Sequence, residues 1–261
     1  MTKQLPLKIQ RDSEIAVLTF NRPEVYNALD TETVTLASAL VEELQDDPEV
    51  KVIVITGAGK AFIAGADIAE MRQKAPVQAR VYSELGHALM RSIGQLNKPT
   101  IAAINGYCLG GGMEVALASD IRVASEKARF GLPETILGII PGWGAVPRAT
   151  RLVGAAVTKE LIFTGDIIDS RRALEIGMIN HVVPHDELMS FVLDMAKKIC
   201  RQSQFAVARA KEVVDASLDK SLPDACAVET DAFVACFEAG DQIEGMQAFL
   251  EKREPSFDRR G

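Results

Sequence analysis

The sequence predicts an α/β protein whose strands run parallel or spiral, with helices packed outside them and an all-helical C-terminal region. Three observations carry this expectation. Short β-branched runs alternate with stretches of helical periodicity. Glycine-bearing turns separate the two kinds of segment. From about residue 186 onward, apolar residues recur at three- and four-residue spacing. With 261 residues, the chain has room for one large domain, or one domain with a smaller appendix. A chain of that size buries enough surface to need no disulfide or metal staple.

The elements follow in order. Ile15–Phe20 reads as a strand. Asp30 is placed to cap a helix carrying Val34, Ala37, Leu40, Val41 and Leu44, with Pro48 after its end. Val50–Ile55 is the strongest strand signal, and Gly57 and Gly59 turn the chain after it. Val81, Leu85, Leu89, Ile93 and Leu96 share one face of a helix over residues 77–96, which Lys98-Pro99 ends. Thr100–Ile104 is a further strand, Asn105-Gly106 a turn, and Gly110–Gly112 leads into a short helix, Met113–Ala118. Ile121–Ala124 and Asn180–Val183 are the remaining strands. The tail carries Leu188, Val192, Met195 and Ile199, then Val228, Phe233 and Phe237, then Ile243, Met246, Phe249 and Leu250. A boundary near residue 195 divides a core of residues 1–195 from a helical region of residues 196–261.

Composition narrows the function classes. Apolar residues at 48% and charged residues at 25% exclude a disordered chain. Thirty-six acids against 29 bases give a net charge of −7, and the bases are scattered. That argues against nucleic acid, which demands a basic stripe. No apolar stretch is long enough to span a membrane; the candidate, Val52–Ala69, is broken by Gly57, Gly59, Lys60, Gly65 and Asp67. The N-terminus shows no targeting segment, and Cys108, Cys200, Cys226 and Cys236 form no C-x-x-C pair. The expectation is a cytoplasmic protein with reduced thiols.

Four motifs carry chemistry. Ile101–Ala118 reads as strand, glycine turn and helix, and Gly110–Gly112 would leave backbone N–H groups exposed at a helix entrance. Such groups suit an anion or a carbonyl oxygen gaining charge; tight strand–helix packing wants the same glycines. Upstream, Thr56–Asp67 fails both phosphate-loop patterns, because Ala61 follows Lys60 and Phe62 takes the third glycine position. It leaves a small-residue loop, Ala64-Gly65-Ala66, on which a ligand can lie close to backbone. Glu114 and Glu134 are too far apart in sequence to share a helix face, so only the fold can join them. The helix N-terminus should keep Glu114 ionised, while apolar neighbours should raise the pKa of Glu134. Carboxyls split in this way serve as base and acid; the alternative is two surface glutamates.

Gly106-Tyr107-Cys108-Leu109-Gly110 also fits a nucleophile elbow with Cys108 in place of serine. Asp166 or Asp169 with His181 or His185 would complete a thiol hydrolase, against a buried structural Cys108. His181 and His185 are separated by Pro184 and do not read as a metal pair, so no metal site is expected. His87 is left undecided between a pocket lining and the surface.

Taken in order, these pieces resemble the crotonase superfamily, the enoyl-CoA hydratase/isomerase family. The resemblance rests on Asn21-Arg22-Pro23 with Asn27-Ala28-Leu29, Ala61–Ile68, Lys98–Gly106, Gly110–Glu114, Asp120-Ile121-Arg122, Phe130–Glu134, Gly138–Gly142 and Phe249–Arg253. It implies a spiral of ββα units followed by helices that trimerise, usually as a dimer of trimers. It implies an acyl-CoA thioester substrate, with no cofactor beyond the coenzyme A that the substrate carries. The thioester oxygen would lie on the N–H groups of Ala66 and Gly111. Val25, Ala28, Ala64, Gly65, Asp67, Ile68, Met71, Gly142 and Trp143 would contact substrate, and Phe249 and Lys252 would reach a neighbouring subunit's CoA.

Glutamate at both positions resembles the hydratases of this family. It implies syn addition of water to a trans-2-enoyl-CoA, with Glu114 mainly as base and Glu134 protonating the α-carbon. An enoyl-CoA isomerase, or hydration of a cyclic or unusual acyl-CoA, is the alternative within the family. RNA-binding hydratases of the family use lysine-rich helices, which the acidic balance disfavours. One departure is marked. Where the family carries small residues after Pro141-Gly142, this chain has Trp143-Gly144-Ala145-Val146-Pro147-Arg148. Trp143 is read either as a packing residue on the next helix or as a side chain that reshapes the acyl pocket.

Overall fold

The Ile15–Phe20 run forms a hairpin with an earlier strand whose own pattern is weak. Strand β1 (Leu7–Asp12) pairs antiparallel with β2 (Ile15–Phe20), Leu7 opposite Phe20. Only Leu7 of β1 is buried, so its hydrophobic signal is faint. The computed structural model describes residues 5–257. Helix α1 (Thr31–Asp46) follows, with the Asp30 carboxylate accepting from Thr33 N as the N-cap that its position predicts.

Three turns of one pattern then build the site. Each has a long strand, a short strand and a helix. The first is β3 (Val52–Gly57), β4 (Ala61–Ala64), the single turn α2 (Ile68–Met71) and the long helix α3 (Pro76–Gly94). The second is β5 (Thr100–Ile104), β6 (Tyr107–Leu109) and α4 (Gly111–Ala118). The third is β7 (Ile121–Ser125) and β8 (Arg129–Gly131), then a 3-10 turn at Pro133–Leu137 and α5 (Ala145–Val153). Next come α6 (Ala155–Thr164), β9 (Ile168–Asp169), α7 (Ser170–Glu175) and β10 (His181–Val183). Helices α8 (Leu188–Cys200), α9 (Gln204–Ser217), α10 (Leu222–Ala239) and α11 (Asp241–Glu251) close the chain.

The long strands join one sheet, in the order β1-β2-β3-β5-β7-β10, and the short ones a second, β4-β6-β8-β9. From β2 to β10 the large sheet is parallel, and so are β4, β6 and β8. Each turn of chain therefore advances both sheets by one strand, which is the expected spiral of ββα units. Both faces of the large sheet are covered, so its strands read as continuous apolar runs. On one face Ala16, Leu18, Ile53, Ile55, Ala102 and Ile104 meet residues of α1, α3 and α4. On the other, Ile15, Val17, Val52, Val54, Ile101 and Val123 meet Leu188, Val192, Ala196 and Cys200 of α8.

Several expectations shift. The strand expected at Val50–Ile55 starts at Val52, because Val50 N donates to Asp47 O and Lys51 N to Glu14 O in the turn before it. The helix expected at Met113 starts at Gly111, with Gly110 as its cap. The short strands β4, β6 and β8 went unread: three or four residues bordered by glycine show no period of two. The division expected at residue 195 falls inside α8, whose inner stripe lies on the large sheet. The exposed helical region proper begins with α9, which buries no residue.

Candidate active site

The three short parallel strands end level with one another. Ala64 pairs with Leu109, and Leu109 with Gly131. The next residues, Gly65-Ala66, Gly110-Gly111 and Leu132–Glu134, thus meet at the carboxyl ends of β4, β6 and β8. This is where ligands sit in open parallel sheets. Gly110 N donates to Gly131 O at 3.0 Å. A Cβ on Gly111 would stand 3.4 Å from the Gly65 carbonyl carbon, so the two chain segments touch. Gly110 holds φ +48° and ψ −115°, a backbone conformation that suits glycine, and a Cβ there would lie 2.8 Å from Glu134 Oε1.

Residues 25–29 run alongside the Ala64–Asp67 loop. Ala64 N donates to Tyr26 O, Leu29 N to Gly65 O and Asp67 N to Leu29 O. The Arg22 guanidinium ties the two together, at 2.8 Å from Asp30 and 3.5 Å from Asp67. Asn27 Nδ2 donates to the carbonyls of Ala58, Ala61 and Phe62. These bonds use the N–H groups of Ala64 and Asp67 in the loop. The N–H groups of Ala66 and Gly111 meet no acceptor among the described residues. Two free donors on touching segments fit a single oxygen.

Glu114 lies in the first turn of α4, whose eight residues are all buried. Its Oε1 accepts from Trp143 N at 2.6 Å and Ala145 N at 3.2 Å; no donor among the described residues reaches Oε2. Burial pushes its pKa up to about 7, with the Glu134 charge adding to the rise and the two N–H bonds opposing it. This corrects the expectation of an ionised Glu114: the helix N-terminus is outweighed because the side chain is 3% exposed. Glu134, in the 3-10 turn, is half-buried, and burial raises its pKa as expected. Its Oε2 is buried without a hydrogen-bond partner. Two carboxyls close enough to sense each other's charge, each with an oxygen free of protein donors, are built to hold a polar ligand.

The segment after Gly142 holds Glu114 in place. Ser83 Oγ of α3 donates to Gly142 O at 2.7 Å. Arg148 of α5 donates to the carbonyls of Trp143, Gly144 and Met90 at 3.3–3.5 Å. Trp143 precedes α5 rather than lying on it, and is 3% exposed. Its Nε1 donates to Tyr82 O at 3.2 Å, and its ring meets the Tyr82 ring edge-on at 5.2 Å. Sequence reasoning missed Tyr82, Ala145 and Arg148, because backbone donors and packing partners leave no motif.

Other expected residues are placed as follows. Val25 and Ile68 are exposed, and Ala28, Ala64 and Met71 half-buried, all around the same loop. Phe249 is 81% exposed on α11 and Lys252 follows that helix, so this chain does not bring them to the carboxylates. Cys108 fails as a nucleophile. It is fully buried, its Sγ lies 3.7 Å from Met113 Sδ, and desolvation raises its thiol pKa steeply. Asp169 caps α7 at Arg172 N, while His185 meets Ser125, so the partners of that reading are dispersed. Among the described residues, no three His, Cys, Asp or Glu side chains cluster as a metal site.

Known proteins resemble the chain along nearly its whole length. A family model described as enoyl-CoA hydratase/isomerase matches residues 10–260. The short-chain-enoyl-CoA hydratase of Clostridium acetobutylicum is 42% identical over 246 residues, 94% of each chain. The crotonyl-CoA hydratase of Syntrophomonas wolfei is 42% identical over 250 residues, 95% of this chain and 96% of that one. The crystal structure of an enoyl-CoA hydratase from Bacillus anthracis superposes with a TM-score of 0.94 at 35% identity, over 97% of this chain and 99% of that one. With its spiral of ββα turns, its paired glutamates and these full-length matches, the chain belongs to the enoyl-CoA hydratase/isomerase family.

Proposed function

We propose that this protein is an enoyl-CoA hydratase that adds water reversibly to a trans-2-enoyl-CoA, giving a 3-hydroxyacyl-CoA. The observation that carries the reading is the meeting of Glu114 and Glu134 beside two free backbone donors, Ala66 N and Gly111 N. Relatives of this length named as hydratases support it.

The chemistry follows from the groups. The thioester oxygen accepts from Ala66 N–H and Gly111 N–H, each worth about 3–4 kcal/mol as charge develops on it. Glu114 Oε2 and the unpartnered Glu134 Oε2 hold one water between them. As Glu114 takes a proton from that water, its oxygen bonds to the β-carbon. The π electrons move onto the thioester oxygen as an enolate. Glu134 then delivers its proton to the α-carbon on the same face, completing syn addition. A proton passing from Glu114 to Glu134 through the next water restores the starting state. Gly142 places the water and the Trp143–Ala145 turn that holds Glu114. The steps use water and the two carboxyls, with coenzyme A entering as part of the substrate.

Val25, Ala28, Ala64, Gly65, Asp67, Ile68 and Met71 are assigned to the CoA chain, whose backbone contacts the Ala64–Asp67 loop provides. Phe249 and Lys252 are assigned to a neighbouring subunit's CoA. The helices from α9 onward are assigned to a trimer or dimer of trimers, since α10 and α11 expose Phe233, Phe237, Ile243, Met246 and Leu250. We assign the protein to the cytoplasm, and no described helix is long and apolar enough to cross a membrane.

The test is hydration of crotonyl-CoA by wild type, Glu114→Gln, Glu134→Gln and Cys108→Ala. Each glutamine variant should lose at least about 100-fold in kcat, while Cys108→Ala keeps its turnover. Unchanged turnover in either glutamine variant sinks the two-carboxylate mechanism.

A further inference from the structure

The indole of Trp143 occupies space that the fold has cleared for it on two sides. On α3, Gly86 faces the ring so closely that a Cβ there would fall far inside contact distance of its Cγ, Cδ1 and Cδ2. On α4, a Cβ at Gly111 would stand 3.0 Å from Cζ3. The ring therefore bridges α3 and the entrance of α4. It is 3% exposed, anchored to Tyr82 O through Nε1 and backed by the Tyr82 ring. The α3 stripe of Tyr82, Gly86, Leu89 and Met90 is buried beneath this contact. What separates α3 from the carboxylate helix is thus a filled volume and not a channel.

Its position relative to the chemistry matters. Gly111 supplies one of the two N–H groups assigned to the thioester oxygen, and Trp143 N holds Glu114. An acyl chain attached to that thioester begins within a side chain's thickness of the indole. We propose that Trp143, seated on Gly86 and against Gly111, walls the acyl site beside the thioester and restricts the enzyme to short acyl groups. This rests on the hydratase reading and adds the substrate class to it. The selection is steric: each methylene for which a hydrophobic site has no room costs about 10–200-fold, so several added methylenes are needed for strong discrimination.

The test compares kcat/KM for trans-2-enoyl-CoAs of four, six, ten and twelve carbons, in wild type, Trp143→Phe and Trp143→Ala. Wild type should fall by at least about 10-fold from four to ten carbons. The ten-to-four-carbon ratio should rise in Trp143→Phe and rise further, by about 10-fold or more, in Trp143→Ala. Absolute turnover on crotonyl-CoA is expected to drop in both variants, because the ring also steadies the turn that holds Glu114; the ratio is the readout. Wild type that handles twelve carbons as well as four overturns the proposal without any variant. So does an unchanged ratio in folded Trp143→Phe, which preserves an aromatic ring if Trp143→Ala fails to fold. No hydration of any enoyl-CoA by wild type would instead sink the hydratase reading itself.

Discussion

Glu114 shows at the scale of one residue how a buried carboxyl, the one assigned as base in the proposed reaction, is kept at a cost to the fold. Its pKa is pushed up to about 7 in the folded state, against an unfolded value of 4.5. The native protein therefore binds more protons than the unfolded chain between those two values. Stability falls as pH rises through that window, and the penalty is fully present above about pH 7. By order of magnitude it reaches about 3 kcal/mol. Glu114→Gln keeps an acceptor for Trp143 N and Ala145 N without the charge. It should raise the melting temperature at pH 8 and leave it nearly unchanged at pH 4.5, as thermal melts across pH would show. As the proposed base, the same carboxyl should set an acid limb near pH 7 in wild-type kcat/KM, as part of a coupled pair with Glu134. That limb should disappear in the residual activity of Glu114→Gln. The pair itself was visible in the sequence as two glutamates in unusual settings. Which is the more buried was not, because burial depends on Trp143, Ala145 and Arg148, all distant along the chain.

At the scale of elements, the site depends on how closely α4 lies against β4. A Cβ on Gly112 would fall inside contact distance of Ile63 O, a backbone atom that cannot swing away. Gly112→Ala should therefore cost several kcal/mol, roughly 3 or more, and reduce soluble yield. Gly94, the last residue of α3, is the control: a Cβ there meets Ala118 O at an ordinary 3.7 Å. Gly94→Ala should be neutral or stabilising by about 0.5–1 kcal/mol, measured by denaturant melts. The helices α1 and α3 and the strands β2, β5 and β7 were readable because each buries a regular stripe or face over five or more residues. The strands β4, β6 and β8, which end at the site, were not. Their shortness and flanking glycines erase the periodicity that identifies a strand.

For the whole molecule, the relevant surface is the tail. Phe233 is 62% exposed and Phe249 81%, beside Ile243, Met246 and Leu250. A face of this size is a liability on a monomer. Phe233→Asp should shift the protein to monomers in light scattering, while the spiral core keeps its circular dichroism. Activity should fall with assembly if Phe249 and Lys252 complete a neighbour's CoA site. An unchanged oligomer would remove α10 from the interface.

Some of this protein was determined by local pattern alone. The alternation of strands and helices, the Asp30 cap, the glycine entrance to α4 and the apolar tail follow from spacing, because one stretch of chain creates each of them. The order of glycine and glutamate motifs was enough to indicate the family. Other features were decided only when distant segments met. These are the level ends of β4, β6 and β8, the contact between Gly65 and Gly111, and the burial of Glu114 under the Trp143 turn. Desolvation, unpaired donors and excluded volume belong to assembled surfaces, so no single segment of sequence can display them.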